Sequence, residues 1–314
     1  MTGCAGRGIL NPKKKTETET ETKTETETET KPNPKGTVAG ESRMETEKTN
    51  PKTEEMTDGK KPSAGEGAKG SDDGRLAIVY RDNVLCVCVK PAGLATESAQ
   101  PDADTVARRL ARQLASDRAA KDNGGALPYV GTVHRLDQVT AGLMVFSLSP
   151  KITGKLSESF ANRLTEKEYW SVVCGVPTPE SGEMKDLLFR DASANKTYVV
   201  RRMRRGVRPA ELTYRTLATC ESGFGLLSLV SVRLGTGRTH QIRVQFASRQ
   251  MPLFGDGKYG FSKGNAAGPE TATVALLARR LAFVHPVTNR NMEFSLPRPE
   301  GFPWTLFADV TLEP

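Results

Sequence analysis

Histidine and tryptophan are scarce, with three and two residues among 314, and the five cysteines show no C-x-x-C spacing. Cys4, Cys86, Cys88, Cys174 and Cys220 therefore suggest neither a disulfide framework nor a thiolate zinc site. Cys86 and Cys88 lie in a continuous apolar run and read as small core residues. No apolar stretch approaches membrane-spanning length, and no signal-peptide core follows the N-terminus. The N-terminal segment is too rich in glutamate for a typical mitochondrial presequence. These absences lead to the expectation of a soluble, cytoplasmic protein with no membrane partner.

Large apolar residues are also nearly missing from the first 74 positions. Across residues 16–30 threonine takes every second place, with Glu or Lys between, so the strand-like period has no apolar face to bury. A segment of this kind cannot offset its chain entropy and is predicted to be a disordered low-complexity tail. The remaining residues, 75–314, are ample for one sizeable domain. Charge follows the same division. Residues 1–74 hold 13 basic and 15 acidic residues, which leaves 32 basic against 22 acidic in the remainder. A domain with a net charge of +10 favours an anionic partner such as RNA, DNA or an acidic membrane, although charge alone equally fits a merely basic soluble protein.

Hydropathy patterning predicts strands over residues 76–80 and 84–89, the second buried on both faces and stopped by Lys90-Pro91-Ala92-Gly93. A helix is predicted over residues 105–119, with Val106, Leu110 and Leu114 as its apolar stripe, and another around Ile152, Leu156 and Phe160. Residues 167–174 alternate, so that Tyr169, Ser171 and Val173 share one face and Trp170, Val172 and Cys174 the other. Further strands are predicted at 210–217 and 226–234, a helix at 238–248, and a hairpin joining 281–284 to 292–296. Strands outnumber helices, and an α+β class follows.

The three histidines, His134, His240 and His285, each sit in a compact polar cluster. Three histidines can hold a catalytic zinc, but no H-x-x-x-H or carboxylate-supported pair occurs, so no metal is expected. A Ser-His-Asp hydrolase lacks its G-x-S-x-G. His134-Arg135-Leu136-Asp137 is a sharper signal, because an Asp on a tight loop at a strand end, beside two potential cations, is well placed to stay ionised. The plain alternative is a turn-capping Asp with Arg135 in a surface ion pair. In residues 237–243, Arg238, His240 and Arg243 add donors to what reads as a helix N-terminus able to hold an anion. Five positions apart, Arg238 and Arg243 point differently and are expected to serve different partners.

Taken together, these segments resemble the RluA-type family of pseudouridine synthases. The resemblance runs through Ile78-Val79-Tyr80, Val89-Lys90-Pro91-Ala92-Gly93-Leu94, residues 134–143, residues 167–175, Pro209-Ala210-Glu211-Leu212-Thr213-Tyr214, residues 237–244, residues 255–260 and residues 281–286. Ala141, Gln245 and Leu277 depart from the family's usual Ser, His and His, which touches fine substrate contacts rather than the expected nucleophile. The extra S4-type RNA-binding domain of many relatives is expected to be absent.

The resemblance implies a mixed, mainly antiparallel sheet flanked by helices, acting as a monomer on rRNA or tRNA without a cofactor. It implies Asp137 as the catalytic carboxylate, Arg243 as its arginine partner and Tyr169 as the ring that stacks on uracil and helps remove the C5 proton. It places His134 and Arg135 against the space left by the displaced base, with Arg238 and His240 toward the RNA. Two rivals stand beside it. One is an RNA-binding protein without catalysis. The other is a glycosidase-like hydrolase pairing Asp137 with Asp256, though Asp256 in a Gly-Asp-Gly turn reads more readily as a cap.

Overall fold

The structure is a computed structural model that describes residues 74–119, 126–261 and 273–310. Apart from Gly74, the segment read as a disordered tail lies outside the described residues.

The chain opens with a hairpin of β1 (Ala77–Arg81) and β2 (Leu85–Lys90), followed by α1 (Val106–Ala119). Next come the two-residue β3 (Gly131–Thr132), β4 (Ala141–Ser147), α2 (Pro150–Ala161) and β5 (Glu166–Cys174). A run of antiparallel strands follows: β6 (Ser181–Asp191), β7 (Lys196–Val200), β8 (Val207–Ser222) and β9 (Gly225–Leu234). After α3 (Gln241–Ala247), β10 (Leu276–Val284) and β11 (Asn291–Ser295) make a last hairpin, ahead of a short 3-10 helix at Trp304–Phe307. The described strands form one sheet in the order β1-β2-β4-β10-β5-β9-β8-β6-β7, with β3 beside β4 and β11 beside β10. Only the β4–β10 pair is parallel. The class is therefore α+β with a mainly antiparallel sheet.

Side-chain alternation explains how this sheet is held. On β5, Tyr169 and Val173 join one apolar cluster with Val230, Val232, Ile242 and Phe246. Trp170 and Val172 join another with Leu229, Phe254, Leu277, Trp304 and Phe307. The α1 stripe of Val106, Leu110 and Leu114 packs with Cys86, Cys88, Met144 and Phe146. Leu156 and Phe160 of α2 pack with Val87, Leu143 and Val145. At about 25 cal/mol per Å² of apolar surface, burial of such side chains on both faces is the dominant favourable term.

One close approach fixes where the β3–β4 loop lies. Gly142 has φ +124, and a Cβ there would come within 2.3 Å of the Ala278 carbonyl oxygen. The absent side chain lets β4 run against β10 at Leu277 and Ala278.

Several predicted elements differ in extent. The strand at 210–217 is part of the sixteen-residue β8. The strands β6 and β7 carry no prediction at all. On β6 the fully buried apolar residues are Met184 and Leu188, four apart, with charged or polar residues on most other positions, so the alternation is lost. The helix predicted from residue 238 begins at Gln241, because His240 adopts a left-handed backbone (φ 55). The Gln241 Oε1 accepts the Arg238 N–H at 3.0 Å and the Thr236 hydroxyl at 2.7 Å. One backbone N–H of this segment is thus taken by the chain's own side chain.

Candidate active site

The loop between β3 and β4 carries Asp137, and it is fastened from below. Lys90, fully buried at the end of β2, donates from Nζ to the carbonyls of Pro91 (2.9 Å), Gln138 (2.9 Å) and Thr140 (2.7 Å). The Gly93 N–H donates to the Gln138 carbonyl and the Gln138 Nε2 donates to the Gly93 carbonyl, each at 2.8 Å. The Thr96 hydroxyl donates to the Leu136 carbonyl at 3.0 Å. An ammonium with three carbonyl acceptors is tolerable in a dry site, yet burial still lowers the Lys90 pKa to about 8, against a smaller opposite pull from Asp137.

Asp137 faces a cavity of about 720 Å³ whose wall includes Tyr169, His134, Arg135, Arg238, His240 and Arg243. From α3, the buried Arg243 places Nη1 3.7 Å from Asp137 Oδ2. Its other side is gripped by Asp256, through Nε to Oδ2 at 2.7 Å and Nη2 to Oδ1 at 2.8 Å. The Tyr259 ring lies 5.0 Å from the same guanidinium. One arginine thus bridges a deeply buried carboxylate and one that is a quarter exposed to the cavity. Tyr169 reaches the cavity from β5; burial and then the Asp137 charge push its phenol well above the ordinary tyrosine range, so it stays protonated.

The remaining residues singled out from the sequence line the same cavity in different states. Exposed Arg135 faces Glu97 at 3.6 Å. Arg238, also exposed, donates from Nε to the Pro209 carbonyl, whereas Arg243 holds Asp256. His134 stacks on Phe160 at 4.4 Å, and its Nε2 accepts the Val145 N–H at 3.1 Å. Burial, then the nearby Lys167 charge, lower its pKa to about 3, so it is a neutral ring. His240 Nδ1 lies 2.8 Å from the Tyr259 hydroxyl, which also accepts the Thr197 N–H. Burial lowers the His240 pKa. His285 is elsewhere, joined to Asp82 at 2.8 Å, where it ties the β1–β2 turn to the β10–β11 turn. Among the described residues no group of three or more His, Cys, Asp or Glu is placed to hold a metal ion.

The same assembly of segments is found in known proteins. The RNA pseudouridylate synthase family model matches residues 84–248. The chain belongs to the RluA-type RNA pseudouridine synthases. It is 32% identical over 232 residues to an uncharacterized RNA pseudouridine synthase of Aquifex aeolicus, covering 72% of this chain and 71% of that one. It is 32% identical over 230 residues to ribosomal large subunit pseudouridine synthase D of Zymomonas mobilis, covering 72% and 70%. Among solved structures, human RNA pseudouridylate synthase domain containing 4 superposes with a TM-score of 0.56 at 25% identity, over 73% of this chain and 91% of that one. The protein is thus an isomerase acting on RNA, with a pseudouridine synthase fold. No helix among its described residues is long and apolar enough to cross a membrane.

Within this pseudouridine synthase, two groups around Asp137 escaped the sequence reading. Lys90 stands in the sequence as part of a strand stop and of a family motif, and nothing local marks it as a buried cation. Asp256 was read as a turn cap or a second catalytic acid. It is neither of these alone, since both its oxygens are occupied by Arg243. The signal was the pairing of a lone Asp inside a glycine turn with an arginine inside an apolar helix, each costly to bury without the other.

Proposed function

We propose that this synthase acts on uridines of ribosomal or transfer RNA and that Asp137 is its catalytic carboxylate. The observation that carries the reading is the cation-lined cavity that Asp137 shares with the Tyr169 ring and the Arg243 guanidinium. The ribosomal class has support in the name of the Zymomonas mobilis relative, ribosomal large subunit pseudouridine synthase D. An RNA substrate and four unpaired cysteines among the described residues go with an intracellular compartment. Residues 75–314, as a monomer, are sufficient for activity in this reading.

Isomerisation needs the N1–C1′ bond broken, the uracil turned, and a C5–C1′ bond made, with the C5 proton lost and N1 protonated. The Asp137 carboxylate either attacks C1′ and releases the uracil anion, or removes a ribose proton to eliminate it. Arg243 supplies positive charge to that carboxylate while Asp256 keeps the guanidinium aimed. The protonated Tyr169 phenol suits stacking under the loosened ring better than proton abstraction, which falls to the carboxylate once it is free again. Reaching this cavity requires the nucleotide to leave its stack at a cost of a few kcal/mol. The domain's positive charge offsets part of that cost through phosphate contacts, and binding is expected to weaken steeply with salt.

The test is release of tritium from C5-labelled uridine in rRNA and tRNA. Asp137→Asn is expected to lose release by a factor on the order of a thousand or more. Unchanged release would remove Asp137 from the chemistry, and no release by the wild-type chain from any RNA pool would favour binding without catalysis. Free uracil among the products would favour the hydrolase, which the engaged oxygens of Asp256 disfavour.

A further inference from the structure

Thr165, just ahead of β5, and Lys167 and Tyr169 on it alternate along the chain, and all three line the cavity. Their sequence neighbours Glu166 and Glu168 belong to the other face, where Glu166 pairs with Arg280 and Glu168 faces Arg233 and Arg279. Strand alternation thus denies Lys167 both adjacent carboxylates. Among the described residues Lys167 has no hydrogen bond and no ion pair; its ammonium sits 5.5 Å from the centre of the Phe160 ring. The Thr165 hydroxyl beside it is buried and without a hydrogen-bond partner. A half-buried ammonium and an orphaned hydroxyl on one cavity wall both cost folding free energy, and a ligand that satisfies both would recover it.

We infer that Lys167, with the Thr165 hydroxyl, forms a phosphodiester subsite for the backbone beside the nucleotide whose C1′ faces Asp137. This rests on the isomerase reading of the same cavity. Lys167 and Tyr169 are two residues apart on one strand face, a spacing of roughly 6–7 Å. That distance is comparable with the reach from a ribose C1′ to its own flanking phosphates. The ammonium supplies charge and up to three donors, the hydroxyl a fourth, and the phosphate the acceptors both lack. Lys167 acts here by positioning: it anchors the backbone while the base turns, so the sugar stays over Asp137 after the glycosidic bond has opened.

The experiment uses the full chain and a short hairpin cut from an rRNA or tRNA from which the wild-type protein releases C5 tritium. Lys167→Met removes the charge and keeps the stem, and Lys167→Arg keeps the charge. The Met variant is expected to bind about tenfold more weakly. The slope of log affinity against log salt should flatten by about 0.7–0.9, one phosphate contact. Lys167→Arg should restore both. A methylphosphonate at the flanking phosphate should weaken wild-type binding by a similar factor and add nothing to the loss in Lys167→Met. The melting temperature of Lys167→Met should equal or exceed that of the wild type, whereas a merely structural lysine would leave it lower. Unchanged affinity and slope in Lys167→Met, or a methylphosphonate penalty of the same size in both proteins, overturns the subsite while tritium release by the wild type still stands. Absence of release by the wild type from every RNA overturns the isomerase reading and the subsite with it.

Discussion

Asp256 holds Arg243 by two hydrogen bonds, of 2.7 and 2.8 Å, and so leaves only one face of the guanidinium toward Asp137. The geometry makes Asp256 a positioning residue. If it were absent, Arg243 would be a buried cation with a single, partly exposed counter-charge, free to collapse onto Asp137 and block its approach to a sugar.

Asp256→Asn should therefore lose tritium release by about a hundredfold or more, with most of the loss at saturating RNA. It should also lower stability, because breaking a buried ion pair costs about 3–5 kcal/mol. Denaturant unfolding of the variant, read beside its rate, checks both. A variant that melts normally and turns over normally would show that the bidentate grip has no role in the site.

Tyr169 makes a separable prediction. If the ring stacks on uracil and the phenol stays protonated, Tyr169→Phe should keep release within about tenfold of wild type, while Tyr169→Leu should lose the base–ring stack, about 1–3 kcal/mol. Single-turnover rates at saturating RNA distinguish them. Equal, near-complete loss in both variants would assign the hydroxyl a chemical step and return proton removal to Tyr169.

How much of this was legible in the sequence depends on whether the information was local. The alternation on residues 167–174 placed Tyr169 and Trp170 on opposite faces, and both clusters follow that division. The resemblance drew Asp137, Tyr169 and Arg243 from three distant segments, and the fold brings them to one cavity. By contrast, β6 was invisible because Asp186 interrupts the buried face between Met184 and Leu188, while Leu187 and Phe189 are apolar on the other face. The start of α3 was misplaced because a left-handed His240 leaves no mark in hydropathy. Lys90 escaped for a deeper reason. A lysine before a proline reads as an exposed strand end, and only the return of residues 138–140, some fifty positions later, buries it under three carbonyls.

That burial gives Lys90 an alkaline signature. With a folded pKa of about 8 it is an ammonium with three donors below that pH and an amine with two above it. One loop carbonyl then loses its partner, and the rate should fall with a midpoint near pH 8 as the Asp137 loop loosens. Stability runs the other way. The unfolded lysine keeps its proton to about pH 10.4, so between pH 8 and that value the unfolded state binds more protons and linkage raises the unfolding free energy. Rate and melting temperature measured together from pH 7 to 9.5 should diverge. A rate that stays flat, or falls only in step with unfolding, would dissociate Lys90 from the loop's function.

His134 gives the corresponding acid-side prediction. Its ring is stacked on Phe160, its Nε2 accepts the Val145 N–H, and burial followed by the Lys167 charge lowers its pKa to about 3. An unfolded histidine titrates near 6.5, so between those values the unfolded chain binds the extra proton. The stabilisation from keeping this ring neutral is fully present above about pH 6.5 and is lost progressively as pH falls toward 3. At pH 5 the loss should reach about 2 kcal/mol, at 1.36 kcal/mol per pH unit. Carboxylates contribute their own acid destabilisation, so the comparison is with His134→Gln, which can still accept the Val145 N–H but cannot take up the proton. The variant's unfolding free energy should depend on pH less steeply than wild type by that amount between pH 6.5 and 5. Equal slopes would mean that protonated His134 is accommodated in the fold, and that the cavity wall beside Lys167 is wetter than its packing implies.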